Sequence, residues 1–269
     1  MKSSQSQSQL LVVNSLLQWF IPLIPLTIWG LDRWQMLDIK WFLLINGQAS
    51  QLPDLLWTSL SLLGNGWALV ALTLPLLLFG PRLFMAGLFS GLLAGVISRI
   101  AKIIASSPRP AGVLDISTFH IIERPLLHSS MPSGHTMTAF AISTALYFSI
   151  RKGQRKKYLW LFLLAIGTGV SRMAVGAHWP EDVLVGSALG YLCGLSAANL
   201  ATRVPMKYLQ LNQWPAALIA FFSLVTAYIL LTQTLDFKLN QSTQYALVGL
   251  ILITWLMGLV RLRKNSINV

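Results

Sequence analysis

Long apolar runs, most of them charge-free, alternate with polar segments along the whole chain, and the runs predict eight membrane-spanning helices at 10–30, 55–79, 83–105, 133–150, 158–176, 183–201, 216–231 and 245–260. Each approaches or exceeds the length needed, about 20 apolar residues for a hydrocarbon layer of ~30 Å. Pro22 and Pro25 lie inside the first run, where a membrane helix tolerates them at the cost of a bend. No small-x-small cleavage pattern follows that run, so it reads as a retained anchor. Residues 1–9 are rich in Ser and Gln and read as a disordered tail. Between the first two spans, Asp32, Arg33, Trp34, Asp38, Lys40, Trp41 and Asp54 form an amphipathic stretch with the Trp content of a membrane interface.

Two runs carry glycine every fourth residue: Gly87, Gly91 and Gly95 in the third, and Gly186, Gly190 and Gly194 in the sixth. Small residues at that spacing let helix backbones approach closely, so these two helices are expected to pack in the middle of the bundle. That packing would bring Lys102 and Asp182 to the same end.

Composition agrees with a polytopic membrane protein. The 269 residues are 55% hydrophobic and only 10% charged, which excludes an ordinary soluble domain. The net charge of +12 raises the question of nucleic acid. The basic residues stand at the ends of apolar runs and form no groove or stripe, so nucleic-acid binding is not expected. Cys193 is the single cysteine and lies in an apolar run, which rules out an internal disulfide.

Charge also orients the chain. With a cytoplasmic amino terminus, eight spans place Lys2, Arg82, Arg151, Lys152, Arg155, Lys156, Lys157, Arg203, Lys207, Arg261, Arg263 and Lys264 inside, with no acidic residue among them. The opposite side receives the other eight basic and all eight acidic residues. This is the asymmetry of the positive-inside rule. Both termini are then cytoplasmic.

Ionisable residues at the edges of membrane runs are costly and usually face a wet cavity with a partner. One such stretch, 171–182, combines a cation, an imidazole and two carboxylates: Arg172, His178, Glu181 and Asp182. His178 and Asp182 are four apart, and Pro180 suits the first residue of a helix. Asp182 would lie in that first turn, either holding the imidazole in one tautomer or belonging to a plain helix cap. Upstream stand Lys102 and Arg109-Pro110, and then Pro132-Ser133-Gly134-His135. Lys102, Arg109 and Arg172 supply three cations, the arginines with forked donors suited to phosphate oxygens. Ser133 and Gly134 open the fourth span, where free N–H groups and the helix dipole attract an anion; the bland alternative is an ordinary Ser cap.

Lys102 with Arg109-Pro110, Pro132-Ser133-Gly134-His135, and Ser171-Arg172 with His178 and Asp182 together resemble the three-part signature of the type 2 phosphatidic acid phosphatase family, complete and in order. The resemblance covers 102–182 specifically and 10–201 loosely. It implies an all-α fold, a polytopic membrane helix bundle with a six-helix phosphatase core over residues 10–201; the two additional helices and basic tail that the apolar runs place over 202–269 depart from that core. It implies that His178 is a nucleophile forming a phosphohistidine, that Asp182 orients and charges it, and that His135 is the general acid. Lys102, Arg109, Ser133, Gly134 and Arg172 would bind the phosphate.

Neither a metal nor another cofactor is implied; a zinc site of His135, His178 and Asp182 is the competing arrangement. Arg99 and Arg124 are possible supports, Arg99 either a further cation or a structural charge. The loop residues His120, Glu123, Arg124 and His128 either recognise a headgroup or stand in solvent.

The implied activity is hydrolysis of a phosphomonoester or diphosphate of a membrane lipid: undecaprenyl diphosphate, phosphatidic acid, phosphatidylglycerophosphate or lipid A. The lipid substrate and surrounding membrane lipids are the implied partners, and the implied place is a bacterial inner membrane with the site on the periplasmic face. A lipid phosphotransferase and a non-enzymatic anion-binding membrane protein are the alternatives. Neither oligomeric state nor the role of the last two helices follows from the sequence.

Overall fold

The computed structural model describes residues 17–35 and 38–267, and among these the regular structure is entirely helical. The tail at 1–9 and the start of the first span lie outside the described residues. In chain order the helices are α1 (Leu17–Phe20), α2 (Leu23–Gln35), α3 (Asp38–Ala49), α4 (Asp54–Leu62), α5 (Gly66–Thr73), α6 (Leu76–Phe79), α7 (Pro81–Ala105), α8 (Gly134–Ser149), α9 (Trp160–Ala174), α10 (Pro180–Arg203), α11 (Trp214–Thr232) and α12 (Gln241–Ile267).

The first span breaks between α1 and α2 beside Pro22, as the prolines anticipate. The amphipathic stretch supplies α3, which packs on α9 and α10. From α3, buried Asn46 donates to the carbonyls of His120, Met173 and Ala174 and accepts from His120 N–H, locking the 106–132 loop onto the end of α9.

The second predicted span is broken. α4 meets α5 and α6 at 71°, because the chain leaves α4 at Leu63-Gly64-Asn65. There Asn65 caps α5 by accepting from the N–H groups of Trp67 and Ala68. A side chain at Gly64 would come within 2.6 Å of the His135 carbonyl oxygen, so only glycine lets the break sit against the start of α8.

Four helical stretches are long and apolar enough to cross a membrane alone, and five if the bent pair is one span; the sequence reading expected eight. The shortfall falls mainly on α8 and α9. At 16 and 15 residues they run about 24 and 22 Å at 1.5 Å per residue. α8 lies between α7 and α10 and buries Thr136, Met137, Ala139, Ala141, Ser143 and Thr144. A helix walled by protein needs neither full span length nor an apolar exterior.

The glycine series of α10 faces α8: a Cβ on Gly186, Gly190 or Gly194 would lie 2.8, 2.3 or 2.4 Å from the carbonyl oxygens of Ser133, Met137 and Ala141. Gly91 and Gly95 of α7 face open space. The two helices pack on one another as expected, but the closest backbone approach made by the α10 glycines is to α8, which α7 also contacts.

The last two helices pack on one another and on α5 around Leu62, Leu74, Phe84, Leu230 and Ile251. Arg82 donates to Thr202 O at 3.1 Å and Arg261 to Leu78 O at 2.6 Å, gathering basic residues at one end of the bundle. The outer faces carry Leu, Ile and Phe side chains such as Ile103, Leu163, Phe221 and Leu252, as hydrocarbon contact requires.

Candidate active site

At the opposite end, the three polar clusters converge. The turn that delivers His178 is written in its sequence. α9 ends at Ala174, and Gly176 follows with φ +75°, a left-handed conformation open to glycine. Ala177 N–H bonds Arg172 O at 3.0 Å and Gly176 N–H bonds Met173 O at 3.0 Å, the paired closure of a Schellman motif. His178 N–H also reaches Arg172 O, at 3.1 Å. Five residues between Arg172 and His178 are what this turn consumes.

Pro180 then opens α10, and Asp182 lies in its first turn. The Asp182 carboxylate does two jobs with one oxygen. Its Oδ2 accepts from Trp179 N–H at 2.8 Å, capping the helix, and stands 3.1 Å from His178 Nδ1. The two sequence alternatives, helix cap and histidine partner, are thus both realised. Ser130 Oγ donates to the same oxygen and lies 3.4 Å from Nδ1.

With a proton on Nδ1 facing Asp182, the lone pair of Nε2 is directed toward Arg109. Arg109 Nη1 is 3.2 Å from Nε2 and donates to Ala177 O at 2.9 Å; its Nε donates to His128 O at 2.9 Å. Lys102 Nζ, in the last turn of α7, donates to Ser129 O at 2.6 Å and Ser130 O at 2.9 Å. Arg172 is buried, donates from Nη1 to Ser61 Oγ and sits 5.9 Å from the Phe237 ring centre. Its Nε is buried with no acceptor among the described residues, a donor that an anion would satisfy. Lys102, Arg109 and His135 are half-buried, so the cluster is open on their side.

Ser133 caps α8, its Oγ accepting from Thr136 N–H at 3.4 Å, and its own N–H bonds Asp182 O at 3.0 Å. The Ser cap is therefore present, and the first-turn N–H groups that a helix leaves without intrahelical acceptors begin at Gly134. A side chain on Gly134 would meet Ser98 Oγ of α7 at 3.1 Å. His135 follows, with Nε2 2.9 Å from Asp236 Oδ2.

Asp182 does not leave His178 charged, contrary to the sequence expectation. Burial, then the charges of Arg109, Arg172, Lys102 and His135, push its pKa well below the usual histidine value. The ring is 2% exposed, and a fourth cation beside these three is costly. Three cations face the two carboxylates of Asp182 and Asp236, so the cluster is net positive even with both imidazoles neutral, suited to an anion.

Arg99 and Arg124 are exposed and make no hydrogen bond or ion pair with these side chains; neither joins the cluster. His120 pairs with Asp54 at 2.8 Å, and Glu123 accepts from Lys238 N–H, so both hold the loop in place. Among the described residues no three His, Cys, Asp or Glu side chains converge as metal ligands. Sequence reasoning missed Ser61, Asn65, Ser130 and Asp236. Of these only Asp236 had a signal, as an acid that the charge count puts on the same membrane face as the motifs.

Residues 83–205 match the PAP2 superfamily. A lipid A 1-phosphatase of Rhizobium johnstonii is 33% identical over 144 residues, which are 51% of this chain and 54% of that protein. An undecaprenyl-diphosphatase of Sulfolobus acidocaldarius is 24% identical over 177 residues, 64% of this chain and 82% of that one. The chain spans about half the length of the lipid A 1-phosphatase. The crystal structure of Aquifex aeolicus LpxE superposes with a TM-score of 0.53 at 31% identity, covering 61% of this chain and 95% of that chain. The superfamily match stops short of α11, so Asp236 lies outside it.

Proposed function

The chain belongs to the PAP2 superfamily, and on that premise we propose that it is an integral membrane lipid phosphatase working through a phosphohistidine on the non-cytoplasmic face. The observation that carries the reading is the geometry of His178. Nδ1 is tied to Asp182 at 3.1 Å, and Nε2 faces Arg109 at 3.2 Å in a pocket with two further cations.

A phosphate drawn to Lys102, Arg109 and Arg172 takes the place that faces Nε2, and these cations offset the charge that builds on its oxygens. The lone pair of Nε2 attacks phosphorus as the bond from phosphorus to the lipid-side oxygen breaks. His135 enters this step as the imidazolium and gives its proton to that departing oxygen, or to the bridging oxygen of a diphosphate. Water then attacks the phosphohistidine, giving its proton to His135. The P–N bond breaks, inorganic phosphate leaves, and both rings return to their starting state. Asp182 keeps Nδ1 protonated throughout and so keeps Nε2 as the nucleophile.

The names of the relatives supply the candidate substrates, the phosphates of lipid A and undecaprenyl diphosphate. Phosphatidic acid and phosphatidylglycerophosphate complete the set that a phosphate-reading pocket admits. The charge asymmetry of the chain supports a site on the non-cytoplasmic face, which in a bacterial inner membrane is the periplasmic one.

The test is phosphate release across these four lipids in detergent, with chelator present. Wild type is expected to act on at least one. His135→Ala should lose about 10²–10⁴-fold, the usual share of general acid–base catalysis, and His178→Ala should fall to background. Full release by His178→Ala would overturn the phosphohistidine, and loss of wild-type activity to chelator would overturn the metal-free chemistry.

A further inference from the structure

We propose that Asp236, in the turn between α11 and α12, is a positioning residue for His135: its carboxylate holds the imidazole Nε2–H and reserves Nδ1 for proton transfer to and from the reacting oxygens. The proposal rests on the phosphatase reading above and gives the last two helices a part in the chemistry.

The contact is built from several directions. Asp236 Oδ2 lies 2.9 Å from His135 Nε2 and accepts from Asn65 Nδ2 at 2.8 Å. Asn65 itself caps α5 in the break of the second span, so two irregular segments meet on one carboxylate. Asp236 adopts φ +53°, a left-handed conformation that Asp tolerates better than most side chains. Its neighbours pin the turn. Leu235 is buried and donates its N–H to Gln244 Oε1. Phe237 is buried beside Ile122, Ala174 and Ala177, and Asn240 donates to Thr58 O at 2.9 Å.

Burial alone would raise the Asp236 carboxyl. The charge and hydrogen bond of His135, with Arg172 and Asn65 behind them, instead hold it well below the usual carboxylate range, so it stays an anion. The arrangement mirrors the other pair with the ring turned over. Asp182 takes Nδ1 of His178 and frees Nε2, whereas Asp236 takes Nε2 of His135 and frees Nδ1. When protonated, His135 gives the Nδ1 proton to the departing oxygen. When neutral, it keeps Nε2–H on Asp236 and accepts a proton from water at Nδ1. Besides Asp236, the charged and titratable groups that His135 feels are Arg172 of α9, Arg109 of the 106–132 loop and His178. Asp236 is the acid that favours its protonated form.

The test compares Asp236→Asn, which keeps an acceptor but loses the charge, with Asp236→Glu, which keeps both. A short-chain phosphatidic acid has an alkoxide leaving group that needs a proton; p-nitrophenyl phosphate releases a phenolate that does not. Asp236→Asn is expected to lower kcat/KM on phosphatidic acid, which reports the transfer to His178 and not the later hydrolysis, about 10–100-fold, part of the general-acid contribution. On p-nitrophenyl phosphate it should lose less than ~3-fold. The basic limb of the phosphatidic acid profile should move to lower pH, because His135 loses the charge that favours its acid form. Asp236→Glu should recover most of the loss.

Equal losses on both substrates with an unmoved basic limb, or a glutamate variant as poor as the asparagine, would overturn the proposal. A reading that needs no variant is ¹⁵N NMR of histidine-labelled wild type, with the His135 signals identified by their loss in His135→Gln. The neutral ring should carry its proton on Nε2; a proton on Nδ1 would overturn the pairing. Wild type inactive on every lipid would sink the phosphatase reading, while the NMR result would still decide the pairing.

Discussion

The state of His178 decides how the site behaves with pH. Its neighbourhood penalises the imidazolium, chiefly by burial and then through Arg109, Arg172 and Lys102. The imidazole therefore stays neutral below the usual range of histidine. In kcat/KM measured against a lipid phosphate, the acid limb that reports loss of the neutral ring should lie well below pH ~6.5, the unperturbed histidine value. An acid limb at or above that value would contradict the assignment. The same shift bears on folding: the unfolded chain binds a proton near pH ~6.5 that the native site refuses. The stability His178 confers is full above that pH and is lost as pH falls through its depressed native value. At this scale the three clusters were legible because their spacing is fixed covalently and spent on recognisable local structures, a Schellman turn and two helix starts. Ser130, Asn65 and Asp236 were not, because nothing in the residues beside them says which imidazole they will meet once the chain has folded. The charge of His178 was misread for a related reason. One carboxylate four residues away is visible in the sequence, and three cations with near-complete burial are not.

Helices were easier to foresee than their neighbours. A charge-free run of about 20 residues announces a helix, yet it does not say whether lipid or protein will surround it. The short central α8 therefore passed for a full span, and the break at Leu63-Gly64-Asn65 passed for its interior. Glycine spacing likewise marks a surface for close approach without naming the partner. The contrast between the two glycine series makes a prediction. Gly190→Ala puts a Cβ 2.3 Å from Met137 O, in backbone that cannot turn aside, and should lower the thermal unfolding midpoint in detergent by several degrees while weakening activity. Gly91→Ala meets nothing within 4 Å. It should be neutral or stabilising by up to about 1 kcal/mol, the gain of Ala over Gly inside a helix. Equal destabilisation by both would show that the α10–α8 seam is not where the backbones are closest.

For the whole molecule, orientation follows from charge placed on the two ends of the bundle. Arg82 reaching Thr202 O and Arg261 reaching Leu78 O put the cation-rich ends of α7, α10 and α12 together. The site residues, and the acids Asp182, Glu181 and Asp236, lie at the other end. Moving the basic residues of the first end across a membrane would oppose both the translocation bias and the anionic inner surface, which attracts each nearby Lys or Arg by about 1 kcal/mol. The site should accordingly face outward, where lipid phosphates of the outer leaflet arrive and released phosphate leaves without crossing the bilayer. Single cysteines in a Cys193→Ser background test this. Cysteine at exposed Arg124, beside the site, should react with a membrane-impermeant maleimide on intact cells or right-side-out vesicles. Cysteine at exposed Lys156, in the basic segment between α8 and α9, should react only after permeabilisation. The reverse pattern would put the site in the cytoplasm and, with it, require a substrate presented on the inner leaflet.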